Sequence, residues 1–442
     1  MALPLVPYPR HVEPLGGVCV LASLDDVEVR LDTDRVDLGD EGYELLIGVD
    51  GIDGAAVVAA TAHGVWNGSR TMKQLAPVGG APVLPCVHIV DTPRFGWRGA
   101  MLDVARHFFG PADICRFIEL IAEFKLNRLH LHLSDDQGWR LDVPGWPALV
   151  QVGGSSAVGG DDGGWYSTDD WATIVAHAER HFVTIVPELD MPGHTNAALA
   201  SVPQLNRGGV ATDRYTGKGV GFSSLHLDVP ATAAFVAEVL AHLAAVTPGP
   251  WLHIGGDEAA ATDHDEYVAF IELLQREVHR LGKQTIGWEE ITAAPLHSHT
   301  LVQHWLNPTT SAAAPDHAKF VLSPARHTYL DMRHDVADPL GRRWAGDIDV
   351  DVAYEWDPAE LLPAVGEARI AGVEAPLWTE KVRTIAEVEH LCFPRLLCLA
   401  EVGWTPQAHR SFAEFGVRLA EQTDRLVRRG VHAYRSSLLH DR

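Results

Sequence analysis

The chain has 442 residues, with 46% hydrophobic and 21% charged side chains, which exceeds what one small core needs and is ordinary for a globular protein. Thirty-five Lys and Arg against 59 Asp and Glu leave a formal charge of −24. That balance disfavours nucleic acid or an anionic membrane as partner and fits a neutral or cationic ligand. No segment reaches the ~18 consecutive apolar residues of a membrane span. The opening MALPLVPYPRHVEP lacks a basic stretch followed by an apolar run, so a cytoplasmic protein is expected unless a signal was removed. The five cysteines, Cys19, Cys86, Cys115, Cys392 and Cys398, are odd in number and scattered, which fits reduced, buried thiols.

In chain order, residues 1 to 92 read as a small α+β unit. VCVLASLDDVEVRLDT and GYELLIGVD alternate as strands do, and GAAVVAATAHGVWNGSRTMKQLAPV reads as a strand running into a helix. From residue 93 the texture changes. Apolar runs (GAMLDVA, LNRLHLHLSD, FVTIVPELDM, WLHIGGDE, QTIGWEE, HTLVQHW, KFVLSPARHTYLD and RIAGVEAPLWTE) mostly take turns with helical periodicity, the first helix opening at Pro111. Eight such units over 93–442 imply a (β/α)8 barrel with insertions, whose chemistry belongs at the C-terminal ends of the strands.

Polar clusters end these runs: Asp135 and Asp136, Glu188 and Asp190, Asp257 and Glu258, Glu289 and Glu290, Tyr329 and Asp331, Trp378 and Glu380. One such cluster is an ordinary wet strand end; six of them favour a shared pocket. Acids with Trp288, Trp305 and Trp378 suit a carbohydrate, because an indole face packs on a pyranose and carboxylates accept from hydroxyls. Glycoside hydrolysis also needs an acid protonated at neutral pH, and a neighbouring charge and burial both penalise the ionised form. Glu258 is then the acid and Asp257 the charge beside it, although GGDE alone also fits a helix N-cap. His130 and His132 share one strand face but have no third ligand pattern, so packed histidines are expected, with no metal and no cofactor.

Together, HIGGDEA, WRGAMLDVARHF, LHLHLSDDQGWRL, PELDMPGHT, GWEE, VQHW, TYLD and LWTE resemble the β-N-acetylhexosaminidases of glycoside hydrolase family 20. Residues 1 to 92 look like the small domain that precedes the barrel in that family. The resemblance implies a retaining exo-β-N-acetylhexosaminidase acting on terminal GlcNAc or GalNAc. The substrate's own 2-acetamido oxygen would be the nucleophile, through an oxazolinium ion. It further implies that Glu258 protonates the leaving oxygen and then activates water, and that Asp257 orients the acetamide. Tyr329 would donate to the acetamide carbonyl and Asp331 contact it or a hydroxyl. Arg98 and Glu380 would grip the sugar, Trp288, Trp305 and Trp378 box it, and Asp136 with His194 relay to Glu258. Rivals are a disaccharide-releasing or transglycosylating relative and a catalytically silent sugar-binding protein. The Gly-rich segment 151–164 and the charged loop 332–358 leave aglycone preference open; Trp356 is a candidate for the outer wall.

Overall fold

The computed structural model describes residues 3–25 and 27–439. A five-stranded sheet comes first: β1 (His11–Val20), β2 (Glu28–Leu31), β3 (Tyr43–Ile47), β4 (Ala55–Ala59) and β5 (Val83–Asp91), in the order β1-β5-β3-β4-β2. Only β2 and β4 pair in parallel. One helix, α1 (Ala62–Leu75), covers the sheet; Thr61 caps it by accepting from the Gly64 N–H, and Gly64, Gly68, Met72 and Leu75 turn inward.

The barrel follows, closed by eight parallel strands: β6 (Trp97–Asp103), β7 (Arg128–His132), β8 (Thr184–Glu188), β9 (Trp251–His253), β10 (Gln284–Trp288), β11 (Leu301–His304), β12 (Lys319–Leu322) and β13 (Ile370–Leu377). All eight anticipated strands are present. Between the early strands lie α2 (Pro111–Glu123), α3 (Thr168–Arg180), the short α4 (Asn196–Ser201), α5 (Thr232–Val246) and α6 (His264–Arg280). Pro111 opens α2 and a Ser167–Asp170 capping box opens α3, each supplying what a helix start lacks.

Inward-pointing residues fill the barrel in layers. Trp97, Val186, Ile286, Leu301 and Val321 form an apolar plug, and further along the strands come His130, Glu188, His253, Gln303 and Glu374, all buried. The small sheet is fastened to the barrel by polar contacts: Trp404 donates to Asp91, and Arg418 and Arg425 of the helix Phe412–Arg428 donate to the Leu5 and Ala76 carbonyls. The five cysteines are free; Cys392 and Cys398 are buried as expected, whereas Cys19, Cys86 and Cys115 are only partly so. No helix among the described residues is long and apolar enough to cross a membrane.

Candidate active site

The residues GGDE do not begin a helix. Strand β9 ends at His253, and α6 starts only at His264 with Asp263 as its cap residue. Two left-handed glycines, Gly255 (φ +67°) and Gly256 (φ +98°), turn the chain off the strand. A Cβ on Gly255 would lie 1.8 Å from Asp190 Oδ1, so only glycine fits there. The same oxygen accepts from the Gly256 N–H at 2.9 Å. Glu258 then takes φ +46° and His194 φ +56°, a conformation costly for such side chains that clusters at functional sites.

The turn delivers two acids to different surroundings. Asp257 is buried, while the Glu258 side chain is 38% exposed. The burial expected for Glu258 therefore falls on its neighbour. Desolvation raises Asp257 above the usual carboxylate range; His194 opposes this, and the charges of Glu188 and Glu258 add to it. Asp190 behind it is pushed well up by burial and then by Asp257 itself. His194 Nε2 stands 3.5 Å from Glu258 and 3.7 Å from Asp257. Desolvation alone would lower this imidazole, but the charge of Asp135, with Asp257 and Glu258, holds it well above its ordinary value.

Above these groups opens a cavity of about 300 Å³ lined by Arg106, Asp257, Glu258, Trp305, Tyr329, Asp331, Trp378 and Glu380. Lys218, Val220, Leu306, Arg342 and Trp344 complete its wall toward solvent. Trp305 lies nearly parallel to Tyr329 with ring centroids 6.1 Å apart, and Trp344 meets both edge-on. Arg342 is ion-paired with Glu380. Burial, then the charge of Glu380, raises Asp331 well above the usual range, with Arg342 opposing. Asp257 Oδ1, both Asp331 carboxylate oxygens and Glu380 Oε2 are buried with no hydrogen-bond partner in the protein. A wall of unpaired acceptors calls for a ligand rich in hydroxyl and amide donors.

Seven of the eleven anticipated residues, Glu258, Asp257, Tyr329, Trp305, Asp331, Trp378 and Glu380, line this cavity, and His194 stands directly behind the acids. The other three are placed elsewhere. Arg98 is the second residue of β6, and the alternation of that strand turns it to the outer face of the barrel. There it donates to the Lys125 and Phe95 carbonyls, pairs with Glu41 of the small domain and packs on Trp404. Arg106 faces the cavity instead, held 2.8 Å from Asp135 and over the Trp378 ring. Asp136 does not touch His194: its Oδ1 accepts from Asn196 N–H and the Ser223 hydroxyl. Asp135 is the partner, 3.3 Å from His194 Nδ1 and held far below the carboxylate range by Arg106 and His194 despite burial. Trp288 lies beneath the floor, its centroid 5.9 Å from that of Trp378 and its indole N–H donating to Glu188. Trp356 packs on His327 and donates to Ala353, away from the cavity; Trp344 takes the place foreseen for it.

Comparison with known proteins agrees with the fold. Residues 95–407 match the catalytic domain of glycosyl hydrolase family 20, and residues 20–92 match domain 2 of the same family. A β-N-acetylhexosaminidase of Cellulomonas fimi is 41% identical over 401 residues, covering 89% of this chain and 80% of that protein. The family 20 β-N-acetylhexosaminidase of Streptomyces coelicolor A3(2) superposes with a TM-score of 0.92 at 39% identity, covering 98% of each chain. A mutant β-hexosaminidase of Streptomyces plicatus, solved with its product GlcNAc, gives the same score and identity over 99% of this chain and 97% of that one. The chain belongs to glycosyl hydrolase family 20.

Proposed function

We propose that this chain is a retaining exo-β-N-acetylhexosaminidase that removes terminal β-linked GlcNAc or GalNAc by substrate-assisted catalysis. The observation that carries the reading is the split environment of the adjacent acids. Asp257 is buried near the hydroxyl-bearing Tyr329, whose ionisation burial and then the Asp257 charge oppose. Tyr329 therefore remains a hydrogen-bond donor, suited to an acetamide carbonyl, while Asp257 accepts the acetamide N–H as positive charge develops. Glu258, more exposed and beside His194, is placed for the leaving oxygen and then for water. Arg106, Asp331 and Glu380 present a donor fork and acceptors to the sugar hydroxyls. A cavity of about 300 Å³ suits a single sugar, which supports release from chain ends.

The test compares p-nitrophenyl β-N-acetylglucosaminide and galactosaminide with the β-glucoside, in the presence and absence of a thiazoline analogue of the oxazolinium ion. Rapid turnover of the two acetamido sugars, blocked by the thiazoline, is expected. Comparable turnover of the glucoside would point to a protein nucleophile instead.

A further inference from the structure

The loop that supplies Arg342 and Trp344 to the cavity is tied to the outside of the barrel by a second cluster of titratable groups. His334 and Asp338 belong to this loop, and His390 lies in the helix Ile385–Cys392. One oxygen of Asp338 and one nitrogen of each imidazole lie within 4.8 Å of one another. Asp338 Oδ1 is 3.2 Å from His390 Nε2, and the two imidazole rings meet at 90° with centroids 5.7 Å apart. Donor atoms ~2.0–2.1 Å from a tetrahedral ion stand ~3.4 Å from each other, so little movement is needed to share one.

The surroundings fix the tautomer of His334. Its Nε2 is 3.0 Å from the His390 carbonyl oxygen. A carbonyl only accepts, so Nε2 carries the hydrogen and Nδ1 keeps its lone pair. Nδ1 is buried with no hydrogen-bond partner in the protein, and His334 is 1% exposed. Donation of one ring nitrogen to a backbone carbonyl, with the other left bare, is how proteins orient metal-binding histidines. Tyr434 stacks on the His334 ring at 3.9 Å and donates its hydroxyl to Asp335, which holds the imidazole plane. Asp338 is aimed by the His334 and Leu340 N–H groups. Arg395, the nearby cation, is occupied by the carbonyls of Leu330, Met332, Ile348 and Leu391.

We infer that His334, Asp338 and His390 bind one divalent transition-metal ion of the zinc class. Two imidazoles and a carboxylate suit such an ion, whereas calcium and magnesium take oxygen ligands. The metal takes the place of the hydrogen between His390 and Asp338, the neutral imidazole keeping its proton on Nδ1. It then fastens the Arg342–Trp344 segment to the helix Ile385–Cys392 and stiffens the outer wall of the cavity.

Zinc titration of the chelator-stripped chain, followed by calorimetry and thermal unfolding, tests this. One equivalent binds and raises the unfolding temperature. His390→Ala and Asp338→Asn each weaken binding by about 100-fold or more. His181→Ala, in the separate Glu119, His177 and His181 cluster, leaves it unchanged. Cobalt(II) in the unaltered chain gives visible d–d bands of a tetrahedral nitrogen–oxygen site, a readout independent of any variant's folding. Binding that persists in folded His390→Ala, or no saturable site in the unaltered chain, overturns the assignment.

Discussion

Arg106 and Arg98 separate binding from stability, and exchanging each for lysine shows which does which. Both guanidiniums are buried, so size and charge are matched. Arg106 lies 2.8 Å from Asp135 and 3.6 Å from Asp103 and lines the cavity. Lysine keeps the charge those acids need but offers a point rather than a planar fork. Losing a hydrogen bond to a sugar hydroxyl from a charged donor costs about 1.5–3 kcal/mol, roughly ten- to 150-fold in kcat/KM. Arg98 instead donates to Lys125 O at 2.9 Å and Phe95 O at 2.7 Å, both in the frame of the barrel. Arg98→Lys gives up about two such bonds, a loss of about 2–3 kcal/mol in stability. Its kcat/KM per folded molecule stays within about twofold, since nothing it touches lines the cavity. Steady-state kinetics on p-nitrophenyl β-N-acetylglucosaminide and urea unfolding of both variants decide the matter. An Arg98→Lys enzyme as impaired per folded molecule as Arg106→Lys refutes the assignment.

Three further outcomes are expected. Glu258→Gln loses about 10²- to 10⁴-fold in kcat on glycosides with poor leaving groups, measured on chitooligosaccharides; near-normal turnover removes Glu258 from the acid role. Trp305→Ala, which deletes the ring beside Tyr329, weakens thiazoline binding about three- to tenfold or more in calorimetry, and unchanged affinity places that ring outside the ligand's reach. Glu290, accepting from the Trp305 indole, is pushed up to about 8 by burial and then by the Asp257 charge. A folded value above the unfolded one means stability present at low pH and lost as pH rises through 8. Glu290→Gln is thus more stable than the parent by a few kcal/mol at pH 8 and by much less at pH 5. A difference independent of pH contradicts this.

The strands were legible because a parallel sheet buried on both faces leaves continuous apolar runs broken by glycines and acids. The acids at 257 and 258, Tyr329 and the LWTE segment followed from strand ends alone. The misplacements all involve geometry finer than that rule. Arg98 and Arg106 occupy one motif, but strand parity turns the first outward and only the second lies beyond the C-terminal end of β6. Asp135 and Asp136 are adjacent in the turn after β7, where Gly138 O accepts the Asp135 N–H, and no period assigns which carboxylate faces His194. Trp344 sits in a charged loop without periodicity; Arg395, buried and bound to two of its carbonyls, those of Met332 and Ile348, ties its two sides together.

The interior of the barrel supports the groups at its mouth. Glu188 meets three imidazoles, with His130 and His253 each at 3.0 Å and His132 at 2.5 Å, and accepts the Trp288 N–H at 2.9 Å. Burial alone would raise this carboxyl, yet the histidines hold it well below the usual range. His130, opposed by burial but attracted by Glu188 and Glu374, is pushed up to about 9. His132 passes the contact to Asp135 at 2.8 Å, and Asp135 passes it to His194. A well-packed apolar core often equals such a buried ionic network in stability, so stability is a weak reason for it. Orientation is the stronger one. Both ring nitrogens of His130 and of His132, and every carboxylate oxygen of Glu188 and Asp135, have a partner, and the network ends on the aspartate and histidine behind Glu258. Apolar replacement of His132 would take one of the two partners from Asp135 Oδ2, leaving Arg106 alone on that oxygen, and would weaken the support that aims the acids at the mouth.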